Sequence, residues 1–344
     1  MLFDVLRPAI FSLDPERAHR LTIRALKLAP LPGTPSYPDG LGIEVAGLSF
    51  PTPLGLAPGF DKDAEVPRQM MALGFGHVEV GTLTPLPQTG NPKPRLFRLV
   101  EDRAVINRMG FNNRGQASAR ERLERRTAPR RGILGINIGA NKDSEDRATD
   151  YRLGTQAMAP YADYLTVNIS SPNTPGLRAL QDASALEDLL DGVIEARGRS
   201  GPPIFLKVAP DLEPRDIDDI ARIGIEKKLG ALIVSNTTIS RPALASRHRA
   251  EAGGLSGAPL HDLALQRLRD FRQATGGTLP LIGVGGISTA SEAWQRIRAG
   301  ASLVQLYSAL VYEGPGLAKR INRDLAALME RDGFNSIAEA VGSE

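Results

Sequence analysis

The chain has 344 residues, of which 42% are hydrophobic and 24% are charged, an ordinary composition for a globular protein that leaves no room for extensive disorder. Its formal charge of +3 is small for this length, and the basic residues are not interleaved with aromatic ones, which disfavours nucleic-acid binding. The absence of cysteine excludes disulfides, thiolate nucleophiles and cysteine-ligated metal sites.

Residues 1–29 are predicted to form two short amphipathic helices. Asp14 and Pro15 are typical of a helix N-cap and first turn, and the helix that follows carries Ala18, Leu21, Ala25 and Leu28 on one stripe. The apolar residues of the first helix are Leu2, Phe3, Leu6, Ile10 and Phe11. The Pro- and Gly-rich stretch 30–40 indicates a stiff linker, and residues 42–53 resemble a small hairpin.

Eight short apolar runs then alternate with helical patterns. They cover residues 54–58, 77–81, 133–138, 163–169, 204–208, 231–235, 281–284 and 302–306. This alternation predicts a parallel sheet, and eight units favour a closed (β/α)8 barrel of the TIM type over a doubly wound open sheet.

Two segments interrupt that rhythm. Residues 92–109 alternate apolar and charged positions, which predicts an antiparallel insertion beside the second barrel strand. The arginine-rich stretch 114–132 predicts a solvated helix face, with a specific anion-binding role as the lesser alternative.

Polar residues occur where the predicted strands end, which is where barrel enzymes place their chemistry. The strand ends contribute Lys62, Thr82, Asn137, Asn168, Ser170, Ser171, Lys207, Ser235, Asn236, Thr237 and Thr238. This set contains two lysines and no pair of carboxylates, so it suits a flat heterocycle with many donors and acceptors better than glycoside hydrolysis. Lys207 is compatible with a Schiff base or with a protonated group that stabilises a negative cofactor.

Glycine-rich turns mark the last strands. They are GGLSG at 253–257, GVGGIS at 283–288 and the LYSAL segment at 306–310. Backbone N–H groups in such loops, after strands seven and eight, form the usual phosphate site of this barrel, so a phosphorylated ligand is expected.

The sequence disfavours a metal site and also a membrane-spanning or signal segment. The four histidines, His19, His77, His248 and His261, are scattered, which makes a metal site unlikely from spacing alone. Charged residues and Pro8 interrupt the N-terminal apolar run, so neither a membrane-spanning helix nor a signal peptide is expected, and the chain is expected to stay in the cytoplasm.

Ten motifs, in order along nearly the whole chain, resemble the quinone-dependent, membrane-associated class (class 2) of dihydroorotate dehydrogenase. They are APGFDKD (57–63), EVGTLTPLPQTGNPKPRLFRL (79–99), INRMGFNN (106–113), GINIGANK (135–142), NISSPNTPGLRALQ (168–181), KVAPDL (207–212), SNTT (235–238), GGLSG (253–257), GVGGI (283–287) and ASLVQLYS (301–308). The resemblance implies oxidation of dihydroorotate to orotate in pyrimidine synthesis, with electrons passing to a respiratory quinone. It also implies one non-covalently bound FMN.

The resemblance assigns residues to three roles. FMN is expected at Pro58, Gly59, Phe60, Asp61, Lys62, Thr82, Asn137, Asn168, Lys207, Ser235, Gly257, Gly286, Tyr307 and Ser308. Substrate contacts are expected from Lys62, Asn107, Arg108, Met109, Gly110, Phe111, Asn168, Asn173, Asn236 and Thr237. Ser171 matches the family's base, a position where a sister class uses cysteine, and Ser235 stands where the family often has threonine.

The resemblance also divides the chain in two. Residues 1–38 are expected to be a helical segment for membrane association and quinone access, with His19 and Arg98 as candidates for the quinone passage, and residues 39–344 the FMN-binding barrel. Peripheral attachment to the cytoplasmic face of the cell membrane is expected, in a monomer. Alternatives are an FMN barrel oxidoreductase with another substrate or a soluble acceptor, a Schiff-base lyase using Lys207, and a non-catalytic membrane-binding module.

Overall fold

The computed structural model describes residues 2–31, 33, 35–125 and 132–344. At the N-terminus, α1 (Leu2–Ser12) and α2 (Pro15–Leu28) form the predicted helical pair. The Asp14 side chain accepts a hydrogen bond from the backbone N–H of Arg17 at 2.9 Å, so the predicted N-cap is confirmed. The described part of the predicted linker contains no helix or strand, while its Pro32 and Thr34 lie outside the described residues.

Thirteen strands follow in the part of the chain that the structure describes. They are β1 (Ile43–Val45), β2 (Leu48–Phe50), β3 (Leu54–Leu56), β4 (His77–Leu83), β5 (Leu96–Leu99), β6 (Ala104–Asn107), β7 (Ile133–Ile138), β8 (Tyr164–Asn168), β9 (Ile204–Val208), β10 (Ala231–Val234), β11 (Gly254–Gly257), β12 (Leu281–Val284) and β13 (Ala301–Leu306). Strands β1 and β2 pair antiparallel, which confirms the predicted hairpin.

Eight of these strands form a closed parallel barrel in the order β10, β12, β13, β3, β4, β7, β8, β9. They coincide with the eight predicted apolar runs, with ends that differ by up to two residues, so the TIM barrel is confirmed and the open sheet is excluded. Every residue of β4 is buried, as expected for a parallel strand covered on both faces.

The remaining helices lie between the strands or follow the last one. They are α3 (Pro67–Ala72), α4 (Gly115–Glu124), α5 (Arg147–Met158), α6 (Ala183–Arg197), α7 (Pro214–Glu226), α8 (His261–Ala274), α9 (Ala290–Arg298), α10 (Ser308–Glu313), α11 (Leu317–Arg331) and α12 (Ile337–Ala340). Each barrel strand is therefore followed by a helix before the next barrel strand or the chain end.

The predicted antiparallel insertion is present but larger than expected. Strands β5 and β6 pair with each other, and β11, from the loop after the sixth barrel strand, pairs with β6 to complete a three-stranded sheet. The glycine content of 253–257 predicts a loop, and this prediction is wrong for residues 254–257. Gly254 instead permits close packing, since a Cβ there would lie 2.0 Å from the Thr237 hydroxyl.

The arginine-rich stretch forms α4 only in its first part, because residues 126–131 lie outside the described residues. Arg120 and Arg125 are exposed, in agreement with a solvated face. Arg122 instead turns inward and donates to the backbone carbonyl of Asp63 at 2.8 Å, so this residue ties α4 to the loop after β3.

Candidate active site

A cavity of about 790 Å³ lies at the carboxyl ends of the barrel strands. Its volume falls in the ~300–1,000 Å³ range typical of small-molecule sites. The inserted sheet contributes Leu96, Val105 and Ser256 to the wall, and α1 and α2 contribute Phe11 and Ala18. The cavity therefore extends from the mouth of the barrel to the N-terminal helices.

Most of the predicted site residues line this cavity, which confirms that the polar strand ends gather at one rim. They are Pro58, Gly59, Phe60, Lys62, Thr82, Asn107, Met109, Gly110, Phe111, Asn168, Ser171, Asn173, Lys207, Ser235, Asn236, Thr237, Gly257, Gly286, Tyr307 and Ser308. The register of the barrel accounts for part of this convergence, since Asn168 on β8 stands opposite Lys207 on β9.

Three predicted residues lie outside the cavity wall. Asp61 is buried and its carboxylate accepts the backbone N–H groups of Glu65 and Val66, both at 2.7 Å, so it shapes the loop after β3. Asn137 lies behind the wall in a network described below. Arg108 turns away, stacks on the Phe97 ring at 4.6 Å and pairs with Glu251 at 2.7 Å.

Ser171 lies in the wall with only 5% of its surface exposed. Its Oγ accepts a hydrogen bond from the backbone N–H of Asn173 at 3.2 Å. The neighbouring Ser170 points elsewhere: it donates to Asn168 Oδ1 at 2.7 Å and accepts from Asn236 Nδ2 at 2.9 Å. The two adjacent serines thus have different surroundings, and Ser171 is the one that faces the cavity.

The segment after β8 is held closed by two arginines. Arg178 donates to the carbonyl of Ser170 at 3.1 Å and to that of Thr237 at 3.1 Å, and it pairs with Asp211 at 2.9 Å. Arg147 donates to the carbonyl of Pro175 at 2.6 Å. Neither arginine is predicted as a site residue from the sequence, because the backbone carbonyls that they contact, and Asp211, are brought to them only by the fold.

Asparagines face one another across the polar end of the cavity. Asn173 Nδ2 donates to Asn107 Oδ1 at 3.2 Å, and the carbonyl of Asn173 accepts from Asn91 Nδ2 at 3.2 Å. These contacts join the segment after β8 to the inserted sheet. A planar ligand with alternating donors and acceptors is the natural partner of such amides, because each amide both donates and accepts.

A buried polar network lies beneath the cavity floor. Glu79 on β4 has no solvent exposure and accepts from Asn137 Nδ2 at 2.7 Å, from the Tyr164 hydroxyl at 3.1 Å and from Gln305 Nε2 at 2.9 Å. Asn137 Oδ1 in turn accepts from Thr82 at 2.6 Å and from Asn168 at 3.1 Å. Glu79 is not among the site residues predicted from the sequence, although a carboxylate inside the apolar run 77–81 is a signal for one.

Both cavity lysines are in environments that lower their pKa. Burial lowers the pKa of Lys207, which is only 4% exposed, and the Glu79 carboxylate opposes this effect. Burial, assisted by Arg95, lowers the pKa of Lys62 to about 8, so most of this group is still protonated at pH 7. Both ammonium groups therefore lie in a partly desolvated site, where they can stabilise anions strongly.

The end of the cavity next to α1 and α2 is mainly apolar. The rings of Tyr307 and Phe60 meet edge to face with centroids 5.8 Å apart, and Phe60 meets His19 at 5.4 Å. Burial lowers the pKa of His19 to about 4, so this ring is neutral at pH 7. We call this end the apolar arm. Its wall includes Phe11, Ala18, His19 and Phe60.

Arg98 also lines the apolar arm, but its guanidinium is committed to α1. It donates to the carbonyls of Ile10 at 3.3 Å and Phe11 at 3.2 Å and also to that of Leu13, and it stacks on the Phe11 ring at 4.7 Å. Arg98 therefore satisfies carbonyls at the end of the helix and fastens it to the inserted sheet.

The described residues offer neither a metal site nor a membrane-spanning helix. Among the described residues there is no group of three or more His, Asp or Glu side chains placed to hold a metal ion. No helix within the described ranges combines the length and apolar content that crossing a bilayer requires.

Comparison with known proteins places these features in one family. A family model described as dihydroorotate dehydrogenase matches residues 40–329. A protein of Erythrobacter litoralis named dihydroorotate dehydrogenase (quinone) is 67% identical over 344 residues, covering 100% of both chains. One of Novosphingobium aromaticivorans with the same name is 66% identical over 346 residues, covering 99% of each.

Solved structures support the same family assignment. A crystal structure of DHODH from Eimeria tenella in complex with ferulenol has a TM-score of 0.92 and 39% identity, and the match covers 97% of this chain and 98% of that chain. Family membership favours a dehydrogenase over the Schiff-base lyase and the non-catalytic module considered from the sequence. The chain belongs to the dihydroorotate dehydrogenase family, in its quinone-dependent class.

Proposed function

We propose that this protein oxidises dihydroorotate to orotate in pyrimidine synthesis, uses one non-covalently bound FMN, and passes the electrons to a membrane quinone. One observation carries the proposal: a single cavity joins a polar end, with Ser171 and facing asparagines, to an apolar arm beside the N-terminal helices. A polar reductant and an apolar oxidant can thus reach one cofactor from two sides. The names of the curated relatives support the same reaction.

The polar end matches the substrate. We assign its ring to the amides of Asn107, Asn173 and Asn236 and to Thr237, because alternating N–H and C=O groups need partners that both donate and accept. Lys62 is assigned to the substrate carboxylate, with which a partly buried ammonium pairs well. Asn168 is assigned contacts with both the substrate and FMN. Met109, Gly110 and Phe111 complete the wall, while Arg108 is assigned an indirect role through Glu251.

We assign Ser171 as the base that takes a proton from the substrate ring. The backbone N–H of Asn173, donated to Ser171 Oγ at 3.2 Å, stabilises negative charge as it develops on that oxygen. No carboxylate or imidazole among the described residues is hydrogen-bonded to Ser171. Its proton is therefore expected to leave through water, which reaches the buried site when the segment after β8 moves.

The residues present fit FMN. A buried lysine, the amide of Asn168 and the hydroxyls of Thr82 and Ser235 suit the edge of a flavin ring, and the glycine loops suit a phosphate. Bound FMN would supply a ring that takes up hydride and gives two electrons to the quinone. Lys207 holds positive charge against the ring, and Asn137 orients Thr82 and Asn168 from behind.

The apolar arm is assigned to the quinone, with neutral His19 at its wall and Arg98 holding α1 in place. Residues 1–38 then form a unit for membrane contact and quinone access, and residues 39–344 the catalytic barrel. Val5, Leu21 and Leu28 are 76%, 44% and 87% exposed, so an apolar surface remains available for lipid. We propose peripheral attachment at the cytoplasmic face of the cell membrane, as a monomer.

Anaerobic addition of dihydroorotate to the purified, yellow protein tests the proposal. The flavin absorbance is expected to bleach within one turnover and to return when a water-soluble quinone is added. Addition of NAD in place of the quinone is expected to leave the flavin bleached. A colourless protein, or reoxidation by NAD alone, would contradict the proposed cofactor or the proposed acceptor.

A further inference from the structure

Arg296 on α9 is the largest side chain with essentially no solvent exposure in the described part of the protein. One of its terminal nitrogens donates to the carbonyls of His261 at 2.8 Å and Gly285 at 2.9 Å. Its Nε and its other terminal nitrogen are buried without a hydrogen-bond partner, and no described carboxylate lies within ion-pair distance of it. Burial lowers the pKa of Arg296, and the Glu292 and Asp262 carboxylates oppose this effect without forming an ion pair with it. A buried cation without an ion-pair partner is costly, so a further anion nearby would stabilise it.

The loop that Arg296 contacts is the glycine turn after the seventh barrel strand. Gly285 and Gly286 have φ values of +108° and +68°, in the region that favours glycine. The ring of His261 lies 3.2 Å from the Gly286 carbonyl, next to the Arg296 contact with the Gly285 carbonyl. Arg296 and, with its ring proton on Nδ1, His261 thus donate to two successive carbonyls of this turn.

These two contacts determine where the amide protons point. In a trans peptide the N–H points opposite to the C=O of the preceding residue, so the N–H groups of Gly286 and Ile287 are directed away from Arg296 and His261. Gly285, Gly286, Ile287 and Ser288 all line the cavity. Successive N–H groups that face one cavity form a concave anion site.

The lining segments 256–258, 284–288 and 306–309 contain no lysine or arginine, and their side-chain donors are serine and tyrosine hydroxyls. Ser308 Oγ, for example, donates to Ser256 Oγ at 2.8 Å. Arg103, whose carbonyl accepts the Ala258 N–H, also lines the cavity, but its guanidinium pairs with Glu313 and lies over the Tyr312 ring. A phosphate monoester carries about −1.5 to −2 charge at pH 7. The neutral donors that face the cavity therefore leave part of the negative charge of a phosphate unbalanced. The guanidinium of Arg296, behind the loop, can balance it.

We infer that Arg296 is a positioning residue for the flavin phosphate, which orients the Gly285–Gly286 peptides and supplies the balancing charge from behind the loop. The consequence is selectivity for a phosphorylated flavin over riboflavin. This inference rests on the proposed use of FMN. It differs from the assignment of the glycine loops themselves, because Arg296 lies outside the cavity wall and contacts no ligand.

The test compares FMN with riboflavin, which has the same ring but lacks the phosphate. Full-length protein is stripped of flavin, and flavin fluorescence quenching gives both dissociation constants. Arg296→Met is expected to weaken FMN binding roughly 10- to 100-fold while riboflavin binding changes less than about threefold, because a charged hydrogen-bond donor is lost. Arg269→Met is the matched control, since Arg269 lies on neighbouring α8 in an exposed pair with Glu344.

Equal weakening of FMN and riboflavin, or no weakening of either, would overturn the inference and leave Arg296 a purely structural residue. If Arg296→Met does not fold, Arg296→Lys and Arg296→Gln replace it, since both retain a donor. The ratio of the riboflavin to the FMN dissociation constant is then expected to stay high in the lysine variant and to fall in the glutamine variant. The same ratio in both variants would overturn the inference. A wild-type chain that bound neither flavin would overturn the proposed function as well.

Discussion

Ser171 and Ser170 are adjacent, yet their hydrogen bonds differ in a way that separates their roles. Ser170 donates its only hydroxyl proton to Asn168 and accepts from Asn236, whereas Ser171 faces the cavity and accepts a single backbone N–H. Under the proposed mechanism only Ser171 can reach a substrate proton. The sequence suggested both serines, and the choice between them came from resemblance and not from residue type.

Replacement of Ser171 tests this role. Ser171→Ala is expected to slow anaerobic flavin reduction by dihydroorotate by roughly 10²- to 10⁴-fold, the usual contribution of positioned proton transfer, while FMN stays bound. Stopped-flow absorbance at a single turnover measures this step directly.

Ser171→Cys provides the matched comparison. A thiol has an ordinary pKa of about 8.5, so the reduction rate of this variant is expected to rise with pH across that range. Unchanged reduction kinetics in Ser171→Ala would remove this serine from the mechanism.

His77 is a second single residue with measurable consequences. Its ring is fully buried between Phe50 and Tyr164, with centroids 5.3 and 6.4 Å away, and neither ring nitrogen has a hydrogen-bond partner among the described residues. Burial lowers its pKa from 6.5 to about 3. The folded state thus excludes a proton that the unfolded chain accepts.

The burial of neutral His77 makes the free energy of unfolding fall at acidic pH. Between pH 6.5 and about 3 the unfolded chain binds this proton and the folded protein does not, so His77 removes stability as the pH falls through that window, by up to about 1.4 kcal/mol per pH unit. His77→Phe is expected to flatten the decline in unfolding free energy between pH 6.5 and 4, measured by urea denaturation. His248→Gln, at a partly exposed site, is the control, and parallel curves for wild type and His77→Phe would contradict the argument.

At the scale of elements, the N-terminal helices are held to the barrel by charge as well as by apolar contact. Glu65 pairs with Arg20 at 2.8 Å and Lys27 at 3.0 Å, and Glu16 pairs with Arg95 at 2.7 Å. Arg20 and Lys27 are therefore engaged with the barrel, which reduces the basic charge available to an anionic membrane. Apolar insertion must then supply most of the proposed membrane affinity.

The predicted apolar stripe of α2 is divided between two surroundings. Ala18 is buried and lines the cavity, and Ala25 also lines it, whereas Leu21 and Leu28 remain exposed. The two alternatives raised by the pattern, packing on the barrel and contact with lipid, therefore apply to different residues of one stripe. Periodicity alone could not separate them, because both surroundings select apolar side chains.

Removing the exposed leucines tests the membrane role. Leu21→Ser and Leu28→Ser are each expected to lower partitioning onto vesicles roughly 10- to 100-fold, since insertion of a leucine contributes ~1.5–3 kcal/mol. Cosedimentation with phosphatidylglycerol-containing vesicles measures this, and turnover with a water-soluble quinone is expected to persist.

Ile225→Ser on α7 is the control for general surface hydrophobicity, because Ile225 is 42% exposed and lies outside the N-terminal helices. An equal loss of vesicle binding in this variant would show that lipid contact is not specific to α1 and α2.

For the whole molecule, the barrel brings together residues that are far apart in the chain. Glu79, Asn137, Tyr164 and Gln305 come from four strands and meet in one buried network. The cavity above it is closed by a sheet whose third strand comes from residues 254–257 and by helices from the chain's first 28 residues. The proposed reaction depends on this enclosure, since two ligands of opposite polarity must approach one site.

The eight strands, the N-terminal helices and the set of polar strand ends could be predicted from the sequence, because each depends on local periodicity or on short motifs. Tertiary structure decided which of these residues share a cavity, that β11 joins the inserted sheet, and that Arg98, Arg178 and Arg296 bond to distant backbone carbonyls. Backbone carbonyls have no sequence signature, and the burial that alters the pKa values of Lys62, His19 and His77 arises only when separate segments enclose a side chain.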